Sequence, residues 1–585
     1  MLKEKIPLLM NTNIPFFLNI CPQKIAQYQH TIKVWITGKI RFNSKFATQE
    51  NIENIYKTKG LSYLLERSEG DFSLCIIDGH TKKMHLATDA FSTQPIYFFW
   101  DETNMDFSCA NTIRAITQQH RNSLQLDWDQ LLYKRKSNAS SNTFPTIVDG
   151  IFRIQGNRIG TLDFTKKTWN ITSYQRENDI DDEVAANYTA SDFISAYREN
   201  IEQSVYKRIE GHSEVTVTLS GGFDSSIVYA LAAKQTNVRA ASICTTTSLQ
   251  NEEIDRAREL TLREGSDHLI FPVGFTDKPS IEEWIKLVFS KETISCGFED
   301  LVKSQLMQQM HAVYGSSQYV LSGMGSDQFN GGTTTLDYSE EGENGSWEVF
   351  MNNMLRKKWK DYRASTFNDF FQFSYHFSTM NFREELWPFG DDEWLNYLNK
   401  NQKSLQRRGV FLETKLSQAN GFLIGFPFLD TASIELLKKI PLKLKGELLY
   451  DKQILRAAFK DLLPASFQGK PKFYRTSNVE EKVFSYLKNV IYHDNYALLK
   501  IAFDSSPGLQ ERFTLAKVIA FLDETKSSSY FPSYIYILEL INIGLLEGYF
   551  FEGKSFEFKK PNQKTIVYDA HDKKFNREAL ELHIF

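Results

Sequence analysis

Three short stretches of this chain carry residue types suited to handling a polyphosphate. The first is Leu219-Ser220-Gly221-Gly222-Phe223-Asp224-Ser225, which joins a strand-like apolar run to an Ala-rich helical one. Gly221 and Gly222 let backbone N–H groups curl around an anion, and the helix that follows points its positive end at it. Ser220 and Ser225 add hydroxyl donors. Asp224 would repel a bare phosphate, so its presence implies a divalent cation between carboxylate and pyrophosphate. The stretch lacks both the Lys-Ser/Thr ending of a P-loop and the G-x-G-x-x-G spacing of a dinucleotide fold. Taken alone it also fits an ordinary glycine-rich strand-to-helix turn.

The second stretch, "YVLSGMGSDQFNGG" (319–332), repeats the design: an apolar strand, then Ser322, Gly323, Gly325 and Asp327. Two glycine turns that each end in an Asp at the top of a parallel sheet can hold one Mg²⁺ from two sides. Its bland reading is a surface loop of small residues. The third, "DKQILRAAFKDLLPASFQGKPKF" (451–473), places Lys452 and Arg456 one turn apart on a helix, with Lys470 and Lys472 beyond. On its own that is more simply a solvated basic face.

Elements able to position these residues follow from periodicity. Up to about residue 175 the chain reads as short strands ("TIKVWITGKIRF", "DFSLCIIDGH", "KMHLATDAF", "QPIYFFW", "IFRIQGNRIGTLDF") with one helix over 52–70, an α+β domain. A polar, acidic linker is expected over 175–192. A second domain opens with an amphipathic helix N-capped by Ser191 or Asp192, in which Phe193, Tyr197, Ile201 and Val205 recur at four-residue spacing. Strands then alternate with helices up to about 323. That pattern predicts a doubly wound, parallel α/β sheet whose ligands sit at the carboxyl ends of strands. From about 340 helical patterns dominate.

Composition narrows the class. The 585 residues exceed one core, and 42% hydrophobic with 14% aromatic residues describes a globular chain. A net charge of −4 gives no nucleic-acid footprint. The five cysteines are scattered, supporting neither a disulfide scaffold nor a zinc site, and a reducing cytoplasm is the expected location. Pro7, Asn11, Asn13 and Pro15 break the N-terminal apolar stretch before a signal-peptide core forms, and residues 1–20 read as the first strands of a domain. Glu539, Asn542 and Glu547 make 534–551 a buried helix, not a membrane span.

Together, "SGGFDS", "LSGMGSD…GG", "PFLD" (427–430) and K-x-x-L-R-x-x-F-x-x-x-L-P resemble the asparagine synthetase family, ATP-pyrophosphatase amide ligases. Ala257, Gly265 and His268 also fall at that family's spacing. The resemblance spans about 190–475. It implies ATP at Leu219, Ser220, Gly221, Gly222, Asp224 and Ser225, with Thr246, Ser322 and Gly323 also by the nucleotide. It further implies Mg²⁺ on Asp224 and Asp327, and Lys452 stabilising charge on the transferring oxygens. A carboxylate would attack the α-phosphorus and pyrophosphate would leave, giving an acyl-adenylate; a cation and a lysine suit the charge that develops. The implied layout is a degenerate, Ntn glutaminase-like α+β domain over 1–175, an α/β synthetase domain with a helical C-terminal part over 190–560, and a tail over 561–585.

The first domain resembles a worn glutaminase. "G38-K39-I40-R41-F42-N43", "G70-D71-F72" and "T88-D89-A90…P95-I96-Y97" carry that likeness. The activity needs a Cys directly after the initiator Met, where this chain has Leu2, and Lys39 replaces an acidic residue, so no glutamine hydrolysis is expected. On the synthetase side Met324 stands where asparagine synthetases place a Glu that helps deprotonate ammonia; a thioether is no base. Gln328 replaces an acidic residue after Asp327, and Gly425 an Arg. These changes spare the ATP machinery and alter the amine side.

Two branches fit: lasso-peptide cyclases, in which a precursor peptide's own N-terminal amine attacks its activated side chain, and β-lactam synthetases. The latter usually carry Tyr at the Met324 position, so the peptide cyclase is preferred. The aromatic stretch "FNDFFQFSYHFSTMNF" (367–382) then offers a peptide cleft, against a blander role in packing. The expected substrate is a peptide or small molecule bearing both carboxylate and amine, with a cysteine protease and a leader-peptide-binding protein as partners. No nucleic acid or membrane is expected. The alternatives are an asparagine synthetase using ammonia or a partner glutaminase, and a non-catalytic nucleotide-binding scaffold. Retention of Asp224, Asp327 and Lys452 together argues against the scaffold.

Overall fold

The computed structural model describes residues 17–20, 28, 30–133, 142–174, 185, 187–245, 252–272, 280–315, 319–331, 393–467, 480–526, 531–553 and 568–569. In its first part the strands are β1 (Phe17–Ile20), β2 (Ile32–Phe42), β3 (Lys45–Phe46), β4 (Ser68–Asp78), β5 (Lys83–Thr88), β6 (Tyr97–Asp101), β7 (Asp106–Ala110), β8 (Thr143–Pro145), β9 (Ile151–Ile154), β10 (Arg158–Asp163) and β11 (Thr168–Ser173). They form two antiparallel sheets ordered β1-β7-β6-β9-β8 and β11-β10-β5-β4-β2-β3. Period-two alternation sets which faces meet. Phe98, Phe107 and Ile154 of the first sheet pack on Cys75, Ile77, Leu86 and Leu162 of the second. The opposite face of the first sheet, with Tyr97, Ala110 and Ile151, shares a core with Trp284, Phe411 and Leu540 far along the chain.

Helix α1 (Gln49–Glu66) covers the second sheet through Ile52, Leu64 and Leu65. The helix expected over 52–70 therefore stops sooner: Ser68–Gly70 already pair in β4, where an eleven-residue ladder with β2 outcompetes helical spacing.

In the second part the elements are α2 (Ala190–Ile209), β12 (Glu214–Thr218), α3 (Phe223–Ala233), β13 (Asn237–Cys244), α4 (Glu253–Glu264), β14 (His268–Pro272), α5 (Ile281–Lys291), α6 (Phe298–Tyr314), β15 (Tyr319–Leu321), α7 (Val410–Ala419), β16 (Leu423–Gly425), α8 (Gln453–Ala458), α9 (Phe531–Phe550) and β17 (Tyr568–Asp569), among further helices. The sheet order is β16-β15-β12-β13-β14-β17, with β12 to β16 parallel and β17 antiparallel on β14. The expected cap of α2 is corrected. Thr189 is the N-cap, its hydroxyl accepting Asp192 N–H at 3.3 Å while the Asp192 carboxylate accepts Thr189 N–H at 2.9 Å. Asp192 thus closes a capping box from inside the helix, and the helix takes the end of the expected linker. Phe193, Tyr197, Ile201 and Val205 are buried as a stripe. No helix among the described residues is long and apolar enough to cross a membrane.

Candidate functional site

After β12 the chain winds outward through β13 and β14, then returns on the other side of β12 as β15. The crevice at the carboxyl ends of β12 and β15 is thus a topological switch point, where open α/β sheets take ligands. The loop 219–222 leaves β12 there. Gly221 has φ 75°, and a Cβ on it would lie 1.8 Å from Glu253 O, so only glycine fits. Arg256 Nε of α4 donates to Gly221 O at 3.2 Å. Ser220 Oγ accepts Gly222 N–H at 3.2 Å, and Ser225 Oγ accepts Ser220 N–H at 3.1 Å. Gly222 is the N-cap of α3 and supplies no side-chain cap, so the positive end of α3 faces the crevice.

Gly323, leaving β15, touches this loop directly: a Cβ there would meet Ser225 N at 3.0 Å and Asp224 carbonyl carbon at 3.3 Å. That close approach brings Asp224 and Asp327 to one point. Lys452 Nζ donates to both Asp224 oxygens, at 2.8 and 2.6 Å, and pairs with Asp327 Oδ1. Ser326 Oγ donates to Asp224 Oδ1 at 2.7 Å. Burial disfavours the Lys452 ammonium, yet the two carboxylates outweigh it and hold its pKa above the usual lysine range. Lys452 and Asp451 both have left-handed backbones, φ 59° and 46°. Such strain persists where surroundings impose it, and here it accompanies the lysine's insertion between two carboxylates.

The structure therefore joins Asp224, Asp327 and Lys452, which are far apart in sequence. Arg456 does not join them; its Nε donates to Asp451 O at 2.9 Å, behind the lysine. Thr246, Lys470, Lys472 and the aromatic stretch 367–382 lie outside the described residues. Two oxygen-bearing side chains that already share one cation suit Mg²⁺, which takes few protein carboxylates and completes its shell with phosphate oxygens and water. Among the described residues no cluster of three metal-ligating side chains exists.

Ser322 brings to this neighbourhood two residues the sequence reading passed over, Glu413 and Lys303. Ser322 Oγ donates at 2.7 Å to Glu413 Oε2 of α7, and Lys303 Nζ of α6 donates at 2.7 Å to Glu413 Oε1. Ser322 Oγ also accepts Met324 N–H at 3.2 Å. The one available signal for Glu413 was a carboxylate on the helical face that also carries Val410 and Ser417, a position that burial explains only if it is paired. At Gly425, a Cβ would lie 2.2 Å from Tyr319 Oη and 3.3 Å from Arg208 Cδ. The space an Arg would need there is filled by those two side chains.

Residues 196–497 match the family described as asparagine synthase, and residues 26–175 match the glutamine amidotransferase domain. The first match covers more than half of the chain. The chain belongs to the asparagine synthase family. A relative, "Asparagine synthetase [glutamine-hydrolyzing] 2" of Bacillus subtilis, is 26% identical over 86% of this chain and 69% of its own length. "Probable asparagine synthetase [glutamine-hydrolyzing]" of Acanthamoeba polyphaga mimivirus is 21% identical over 81% and 74%. The solved glutamine phosphoribosylpyrophosphate amidotransferase of B. subtilis aligns with 44% of this chain and 64% of its own at 9% identity, with a TM-score of 0.18 that is too slight to bear on the fold.

As a member of the asparagine synthase family the chain is an ATP-dependent, AMP-forming carbon–nitrogen ligase with an amidotransferase-like first domain. Lys39 stands at the seam between its two parts. Lys39 Nζ donates to Arg208 O at 2.8 Å and lies 4.2 Å from the Tyr319 ring, and burial lowers its pKa to about 8. Arg208 grips Asp71 with Nε and Nη2 at 2.8 and 3.1 Å.

Proposed function

We propose that this ligase adenylates a side-chain carboxylate of a peptide and joins it to that peptide's own amine, closing a macrolactam. The observation that carries the adenylation step is the convergence of Asp224, Lys452 and Asp327 at the switch point. ATP is assigned to the loop Leu219–Ser225 with Ser322, Gly323 and Thr246. Its phosphates face the uncapped amino end of α3, and Asp224 with Asp327 would hold Mg²⁺. That cation would neutralise charge on the departing pyrophosphate.

The substrate carboxylate oxygen bonds to the α-phosphorus as the bond to pyrophosphate breaks; Lys452 is placed to offset charge on the oxygens in flight. The amine then bonds to the acyl carbon, AMP leaves with the bonding pair, and the amine gives up a proton. Met324 cannot accept it. Glu413, held by Ser322 and Lys303, offers a carboxylate on this side. Replacement of a family carboxylate by a thioether supports an amine delivered by the substrate itself. A cysteine protease and a leader-peptide-binding protein are the partners such chemistry needs.

The test incubates the purified chain with ATP, Mg²⁺ and short peptides bearing an N-terminal amine and an internal Asp or Glu. Pyrophosphate release with loss of one water from the peptide is the expected result, abolished in Asp224→Ala. A second reading has its own support, since relatives across most of the chain are named asparagine synthetases. Asparagine from L-aspartate and ammonium, with no peptide closed, would establish that reading instead.

A further inference from the structure

The first domain of this chain touches the helix beside the synthetase site with a buried cation, Arg153. Across β6, β9 and β8, Tyr97, Arg153 and Phe144 are register partners and so share a face of their sheet. Arg153 is 5% exposed. Its guanidinium lies between the rings of Phe411 and Phe144, at 4.0 and 4.7 Å from their centroids. It forms no ion pair with any described carboxylate. A buried, unneutralised guanidinium is costly and needs a compensating role. Among the described residues its guanidinium makes one hydrogen bond, from Nη2 to Gln406 O at 2.8 Å.

Gln406 belongs to the π-turn Leu405–Gly409, which joins the helix Glu393–Ser404 to α7. Its side chain is gripped by the same domain: Gly156 N–H donates to Oε1 at 3.0 Å, and Nε2 donates to Ala90 O at 3.1 Å. A π-turn inserts one residue into a helix, shifting everything downstream by about 100° about the axis, and such turns concentrate at functional sites. Two features of the acceptor side depend on that phase. Gly409 lies against Met324, where a Cβ would stand 3.3 Å from Sδ. Glu413, one turn on, meets Ser322.

We propose that Arg153 is a positioning residue for amine transfer, through which the amidotransferase-like domain holds the π-turn and so fixes Met324 and Glu413. This rests on the reading of the Asp224–Lys452–Asp327 cluster as the adenylation centre. It gives the first domain a role that does not require glutamine hydrolysis.

The test compares full-length Arg153→Met, Arg153→Lys and Gln406→Leu with the parent. By hydrogen–deuterium exchange, Arg153→Met should speed exchange of amides 405–413 about ten-fold or more, the effect of a lost charged hydrogen bond. Exchange in β12 and α3, and Mg·ATP affinity, should stay within about two-fold of the parent, since neither touches Arg153. Gln406→Leu should reproduce this, and Arg153→Lys, which keeps one donor, should restore part of the protection. With the peptide or the L-aspartate and ammonium pair that the parent converts, amide formed per pyrophosphate released should fall about ten-fold. Unchanged protection over 405–413, or equal loosening of β12 and α3, overturns the positioning role. A parent that releases no pyrophosphate with any of these substrates instead defeats the functional reading, and the exchange measurement still decides whether Arg153 holds the turn.

Discussion

Replacing Lys452 by Met should move two measurable quantities in opposite directions. In the free protein one ammonium bridges Asp224 and Asp327, whose side chains are 19% and 24% exposed. Carboxylates sharing one donor stand about 5 Å apart, so at an effective dielectric of about 20 their repulsion without the lysine is about 3 kcal/mol. Partial exposure reduces this, leaving about 1–2 kcal/mol. A divalent cation relieves the same repulsion and no longer competes with an ammonium. Lys452→Met should therefore bind Mn²⁺ in the absence of nucleotide about ten-fold more tightly, read by electron paramagnetic resonance titration. Pyrophosphate release at saturating ATP should fall about 10²–10³-fold, the scale of losing one preorganised group at developing charge. A general folding defect would weaken both quantities. Mn²⁺ binding no tighter than in the parent, together with pyrophosphate release within ten-fold of it, would refute the assignment of Lys452 between cation and transferring oxygens.

Gly323→Ala places a Cβ 3.0 Å from Ser225 N, on backbone that cannot yield cheaply, so it should cost about 1–3 kcal/mol in urea unfolding and depress ATP affinity more than Lys452→Met does. Arg208→Met leaves Asp71, 4% exposed, buried without its partner, and should destabilise the chain by about 3–5 kcal/mol; adding Asp71→Asn should recover part of it. Glu539 of α9 is pushed up to about 8 by burial, against an ordinary value of 4.5, with Arg408 opposing. Its folded-state pKa is raised, so the folded form binds more protons between these values and stability should fall as pH rises from about 4.5 to 8. In Glu539→Gln that share of the pH dependence of the melting temperature should vanish, and an unchanged profile would show that Glu539 is ionised in the fold.

What could be read from the chain without coordinates follows a physical division. The strands of the parallel sheet and the loop Leu219–Ser225 were legible because their signals are local: apolar runs, a glycine pair and a helix start. The meeting of Asp224 and Asp327 was legible from the two glycine turns at strand ends, whereas Lys452 joined them only through family resemblance, since nothing local ties residue 452 to residue 224. The geometric cause of the meeting lies in Gly323, whose missing Cβ allows one strand end to lie on the other. Arg153 was not legible at all, and Glu413 only as a carboxylate on an otherwise buried helical face. Each sits in an element whose pattern looks complete without it, and each acquires meaning only across a tertiary contact, with Ser322 in one case and a backbone carbonyl in the other. The same contrast holds around Met324. Gly409 of the π-turn lies against Met324, and Glu413 one turn on accepts from Ser322, so a substitution at Met324 alone leaves the phase of α7, and with it the Ser322–Glu413 contact, in place.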